Sequence, residues 1–118
     1  MRVISAEELD RILDMHAAWL YSGGQRGKRA DLRDTDLRGL ELAGEDLAYA
    51  DMRNAILAYT DMTDTDMTGV DLSYADVTGA CMIRTDLSYA CLDGVDLKTA
   101  FPYSELPDTD RFGVFYPY

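Results

Sequence analysis

The chain has 118 residues, 22 of them acidic and 11 basic, for a formal net charge of -11 and a pI of about 4.2. That balance excludes a nucleic-acid binder held by phosphate contacts, which needs the opposite sign. No apolar stretch nears the roughly 20 residues of a membrane span, and no basic start leads into a short apolar run, so one cytoplasmic domain without membrane contact is expected.

Residues 1–29 hold the first predicted element. Ser5 stands where a helix N-cap would, with Glu8 three residues on, the two halves of a capping box. Leu9, Ile12, Leu13, His16, Trp19 and Leu20 then recur at the i, i+3, i+4, i+7 spacing of one buried stripe, which predicts a helix over residues 5–21. Gly23 and Gly24 supply the stop. No nucleophile or metal ligand sits at a matching spacing from His16, so it is expected to pack beside Trp19 as a structural histidine. Arg26, Lys28 and Arg29 form a basic linker, expected to face acidic groups in the segment that follows.

Residues 30–99 repeat one five-residue unit without a gap. The large apolar residue at each centre is Leu32, Leu37, Leu42, Leu47, Met52, Leu57, Met62, Met67, Leu72, Val77, Met82, Leu87, Leu92 or Leu97, giving 14 units in 70 residues. Two positions earlier the residue is usually small, and the one just before the centre is mostly acidic. In an α-helix five steps turn the chain by roughly 140°, which would spray the centres around the cylinder. In a flat strand an odd unit would send successive centres to opposite faces. A chain that turns by the same angle after every unit aims every centre inward, which is a solenoid.

The A(D/N)LXX pattern, as in Ala50-Asp51-Met52 and Ala75-Asp76-Val77, resembles the pentapeptide-repeat proteins. The resemblance implies an all-β solenoid, a right-handed quadrilateral β-helix with four units to each square coil and about 3.5 coils in all. Central and small residues would point inward and the other three outward. The helix with its His and Trp-Leu pair and the Gly-rich turn resemble a common lead-in to such repeats, and are expected to cap the first coil.

Leu40 and Glu45 break the small-residue rule in that first coil. Leu40 can fill space against the helix. An unpaired buried carboxylate costs several kcal/mol, so Glu45 is expected at the rim, bonded to helix or linker groups or to the Thr65 hydroxyl one coil on. Cys81 and Cys91 both precede a centre and lie two units apart, hence on opposite faces. They are then beyond the roughly 7 Å within which a disulfide forms, and are expected as reduced surface thiols.

Four walls follow if units are dealt out in turn, with coils about 4.8 Å apart. The first wall carries Asp31, Asp51 and Asp71 with Arg33 and Arg53 to offset them, and the second Asp36, Ile56, Asp76 and Asp96 with Arg38 and Lys98. The third carries Glu41, Asp61 and Cys81, with Ile83 and Arg84 nearby. The fourth carries Asp46, Asp66 and Asp86 with no base, edged by Tyr49 and Tyr89. It is the candidate partner face, although Asp also suits tight bends whatever the function.

Residues 100–118 abandon the pattern. Phe101, Tyr103, Phe112, Phe115, Tyr116 and Tyr118 are six of the chain's twelve aromatic residues, a density foreign to disordered tails. The segment is a candidate cap or homodimer contact.

No nucleophile and base pair, phosphate-cradling glycine loop or metal cluster is discernible. The flat ladder of carboxylates does not converge as calcium requires. The expected function is therefore a non-catalytic protein-interaction module without cofactor or metal, an acidic rod docking an unidentified protein. The alternative is a DNA mimic that binds DNA gyrase or a related topoisomerase, as some members of the family do. The repeat has 15 acids and 5 bases, net -10, spread over about 17 Å, close to the one charge per ~1.7 Å of duplex DNA.

Overall fold

Each five-residue unit ends in a tight turn, and this is what bends the chain into coils. From Leu37 onward the carbonyl of each centre accepts the N–H three residues on, as from Ala50 to Leu47 (3.0 Å), Ala55 to Met52 (3.1 Å) and Ala75 to Leu72 (2.8 Å). In every unit but the last the residue second after the centre has positive φ, from Asp34 at 52° to Gly39 at 80°. That combination is a type II turn.

The computed structural model describes residues 1–100. Residues twenty apart form parallel bridges: Asp31, Asp51, Asp71 and Cys91 on the first wall, Asp36, Ile56 and Asp76 on the second, Asp61 and Cys81 on the third, Asp46, Asp66 and Asp86 on the fourth. Main-chain bonds join the coils in both directions, for example Leu32 N–H to the Asp51 carbonyl (2.8 Å) and Asp51 N–H to the Ala30 carbonyl (3.1 Å). A coil is thus four units long. Regular strand is scarcer than the all-β expectation implies. Among the described residues it is confined to β1 (Arg2–Val3) and β2 (Thr35–Asp36), paired in parallel with Arg2 opposite Thr35. Turns take up most of every unit and leave about one residue per wall to pair.

All fourteen centres are buried, none more than 5% exposed. Each large apolar side chain so buried contributes about 1.5–3 kcal/mol against unfolding. Thr65 and Thr85, at small positions, turn their hydroxyls inward and donate to the Leu42 (2.8 Å) and Met62 (2.6 Å) carbonyls of the coil before. Among the described residues no bridge joins Glu41 to Asp61, although Asp61 is bridged to Cys81. Leu40 and Glu45, the two oversized residues, flank that wall, so the irregularity of the sequence is an irregularity of the ladder. The described residues end with a 3₁₀ turn at Leu97–Thr99, capped by Asp96, which accepts the Lys98 N–H.

The first coil has no earlier coil to pair with, and an N-terminal helix covers it. Helix α1 spans Ala6–Tyr21, and Ser5 Oγ accepts the Glu8 N–H at 3.1 Å. Leu9, Leu13 and His16 are buried in the core; Ile12, Trp19 and Leu20 are half-buried. The chain leaves the helix through Gly23, in the left-handed region at φ 64°. It returns so closely at Gly27 that a Cβ there would collide with the Met15 carbonyl, and the Lys28 N–H donates to that carbonyl at 3.0 Å.

Orphaned groups of the first coil find substitutes for the missing neighbour. In later coils the residue equivalent to Ala48 gives its carbonyl to the preceding coil, as Thr68 does to the Tyr49 N–H. Ala48 instead accepts from His16 Nε2 at 2.9 Å, while His16 Nδ1 accepts the Ala30 N–H at 2.9 Å. A backbone N–H can only donate, so the ring proton sits on Nε2. Trp19 stacks on the imidazole with centroids 5.6 Å apart. Arg2 Nη1 caps the Asp31 carbonyl at 3.0 Å, and β1 supplies a parallel edge to the second wall.

Candidate functional site

Each aspartate that precedes a centre turns its carboxylate back onto its own chain. Oδ1 accepts the N–H two residues on: Ala48 for Asp46 (3.1 Å), Thr68 for Asp66 (3.0 Å) and Ser88 for Asp86 (2.9 Å). The Thr68 and Ser88 hydroxyls add bonds of 2.7 and 2.6 Å. These Asx turns explain why the acid recurs on walls that differ in everything else.

The walls differ in how that charge is neutralised. On the first, Arg33 grips Asp31 through Nε and Nη2, each at 2.9 Å, and reaches Asp51 at 3.6 Å. Arg53 repeats this on Asp51, at 2.9 and 2.7 Å, and reaches Asp71 at 3.8 Å. On the second, Arg38 holds Asp36 at 2.9 and 2.7 Å. The arginine hydrogen bonds keep the Asp31 and Asp36 carboxyls down at about 2. At the corner after the third wall, Arg84 clasps Asp64 one coil earlier, at 2.6 and 3.0 Å.

Asp46, Asp66 and Asp86 stand bridged in three consecutive coils. Among the described residues no Lys or Arg lies within 4.0 Å of their carboxylates. The Asp86 carboxyl is nevertheless held below the usual carboxylate range, first by the Ser88 hydroxyl, then by the Ser88 N–H, with a smaller part from the Thr68 hydroxyl. Tyr49 and Tyr89 occupy the adjoining corner column, 50% and 77% exposed, with Gly69 between them. The Tyr49 ring lies over Gly69 where a Cβ would be, and Tyr59 over Gly79 and Tyr74 over Gly94 do likewise. The signal for these pairs was present in the sequence as Tyr and Gly twenty residues apart, one coil of separation.

Other expected residues fall differently. The Thr65 hydroxyl is taken by Leu42, and the carboxyl of the half-buried Glu45 is pushed up first by burial and then by the acids Asp10 and Asp14 of the helix. Arg29 donates its Nε to the Tyr49 carbonyl at 2.6 Å, and the Asp51 carboxyl, held down chiefly by its hydrogen bond to Arg53, is lowered further by the nearby Arg29 charge. Glu8 does not complete a capping box but lines a cleft beside the helix. Cys81 and Cys91 are free and half-buried, on different walls, near the Thr63 (3.4 Å) and Ser73 (3.1 Å) hydroxyls. The aromatic candidates Phe101, Tyr103, Phe112, Phe115, Tyr116 and Tyr118 lie outside the described residues. Among those described, no three His, Cys, Asp or Glu side chains are grouped to hold a metal, and no helix is long and apolar enough to cross a membrane.

The family model for pentapeptide repeats matches the chain in eight copies, over residues 28–57, 46–82 and 71–98. Among solved structures, a pentapeptide repeat protein of the cyanobacterium Cyanothece 51142 is 25% identical over 55% of this chain and 41% of its own, with a TM-score of 0.44. HetL of Nostoc sp. strain PCC 7120, a pentapeptide repeat protein involved in heterocyst differentiation regulation, is 28% identical over 68% and 48%, with a TM-score of 0.32. A pentapeptide repeat protein of the Arabidopsis thaliana thylakoid lumen is 29% identical over 51% and 45%, with a TM-score of 0.27. The chain spans less than half the length of each of these three. No curated protein matches it.

Proposed function

Because the chain belongs to the pentapeptide-repeat family, we propose that it acts without chemistry of its own, as a rigid acidic block that docks a protein partner through its fourth wall. The right-handed quadrilateral form of the β-helix is the fold that membership implies. The observation that carries the reading is the column Asp46, Asp66 and Asp86, bridged in consecutive coils and without a neutralising base among the described residues. Charge presented on a backbone-locked ladder needs little ordering on binding, which favours affinity and on-rate. Tyr49 and Tyr89 add amphipathic contact area at the edge.

The test compares affinity capture by the wild type with capture by Asp46→Asn/Asp66→Asn/Asp86→Asn and by Asp61→Asn, which alters the third wall. A protein retained by the wild type and by the third-wall variant but lost from the fourth-wall variant supports the reading. Identical capture by all three overturns it, since the fourth wall then plays no part.

DNA mimicry is the second reading, favoured by the density of unneutralised charge along the solenoid. It requires inhibition of gyrase supercoiling that fades as salt rises and that the same triple variant abolishes. Absence of inhibition by folded protein at micromolar concentration overturns it.

A further inference from the structure

Helix α1 and the first coil leave between them a cleft of about 360 Å³ whose charge is opposite to that of the molecule. Arg2, Arg11, Lys28 and Arg29 line it against only Glu8 and Asp31, and Asp31 is already held by Arg33. We propose that this cleft binds a small polyanion, through phosphate or carboxylate oxygens.

The cations are in place but their donors are not used up. Every arginine of the repeat is paired with an aspartate: Arg33, Arg38, Arg53 and Arg84. Among the described residues, neither the Arg11 guanidinium nor the Lys28 ammonium has an acid within 4.0 Å or a hydrogen-bond partner. Arg29 spends Nε on the Tyr49 carbonyl, and Arg2 spends one Nη on the Asp31 carbonyl. The remaining guanidinium N–H groups form the kind of fork that grips phosphate and carboxylate oxygens.

The walls of the cleft are rigid. The linker is drawn onto the helix at Gly27, the Lys28 N–H is tied to Met15, and the Ala30 N–H is tied to His16. Ile12 and Met15 supply an apolar side, and the volume falls in the roughly 300–1,000 Å³ range of small-molecule sites. The acidic coils do not forbid an anion here. At physiological salt charges are screened over about 8 Å, less than two coil spacings of about 4.8 Å, so the later coils count for little, and of the acids near the helix only Glu8 and the Arg33-clamped Asp31 line the cleft itself.

Pyrophosphate and citrate are titrated calorimetrically into the full chain and into Arg11→Gln/Lys28→Gln, with thermal melts of both proteins, and backbone NMR shifts are followed in the wild type. One-to-one binding near or below about 1 mM, weakened about tenfold or more in the variant at an unchanged melting temperature, is expected. Shifts centred on Arg11, Lys28 and Ala30 place the anion in the cleft even if the variant melts early. Binding of pyrophosphate alone assigns a phosphate ligand, and of citrate alone a carboxylate. No binding of either anion up to about 10 mM, equal binding to a folded variant, or shifts centred elsewhere overturns the proposal.

Discussion

His16 does at the N-terminal end what a whole coil does elsewhere: one ring nitrogen accepts from Ala30 and the other donates to Ala48. Desolvation lowers its pKa from the ordinary 6.5, against opposing effects of the Ala48 carbonyl and Asp46. The folded state therefore resists protonation more than the unfolded chain. Stability is full above pH 6.5 and falls as pH drops from there through the depressed folded value. Protonation also leaves the Ala30 N–H facing a nitrogen that no longer accepts. Denaturant midpoints are expected to fall between pH 7.5 and 5.5 in the wild type and to stay nearly flat in His16→Ala. That variant loses about 3 kcal/mol at pH 7.5, because two buried backbone groups go unpaired. Glu45, whose carboxyl is pushed up by burial and by Asp10 and Asp14, has the opposite sign, and it is present in both proteins, so comparing the two isolates the histidine.

At the scale of the element, the corner is the unit of construction. Among the described residues eight non-glycine ones, including Tyr49, Tyr59, Tyr74 and Tyr89, sit at positive φ between 52° and 65°, each costing about 1–2 kcal/mol. Turn and ladder hydrogen bonds offset that cost in every coil. Gly69 and Gly39 share positive φ, but a Cβ on Gly69 meets the Tyr49 ring while one on Gly39 meets nothing within 4 Å. Gly39→Ala is expected to lose only the conformational cost, about 1 kcal/mol, and Gly69→Ala about 1–2 kcal/mol more. Urea unfolding of both variants measures the difference. Adding Tyr49→Ala to Gly69→Ala removes the clash, so the second glycine substitution then costs no more than Gly39→Ala.

On the scale of the whole molecule, 15 acids against 5 bases in the repeat make self-repulsion the dominant electrostatic effect. The arginine clamps lie on exposed side chains and weaken in salt, but they are outnumbered. Raising NaCl from about 20 to 300 mM is expected to raise the melting temperature by roughly 3 °C, read by circular dichroism. A fall in melting temperature would mean that the clamps outweigh the repulsion. The excess of acid is greatest in the first coil, six acids against two bases over residues 30–49, so the basic cleft stands beside it and its own cations, Arg2, Arg11, Lys28 and Arg29, must hold an anion against that field.

The period of five by itself determined a chain that turns at a constant angle, the inward set from Leu32 to Leu97 and the nearness of Arg33, Arg38 and Arg53 to their aspartates, while the four-unit coil, and with it the wall on which each acid stands, came from the resemblance to pentapeptide-repeat proteins. The former are local consequences of a turn repeated at constant angle, so neighbours in sequence suffice to read them, and with the coil given, multiples of twenty residues read the walls. The tertiary structure alone decided that His16 completes the hydrogen bonds of the first coil, that acids rather than bases surround Glu45, and that Arg11 and Lys28 meet across a cleft. Those outcomes depend on where a helix lands on a coil, and no repeat constrains that. It is settled by the close approach at Gly27 and by the need of orphaned backbone groups at the coil's edge for partners.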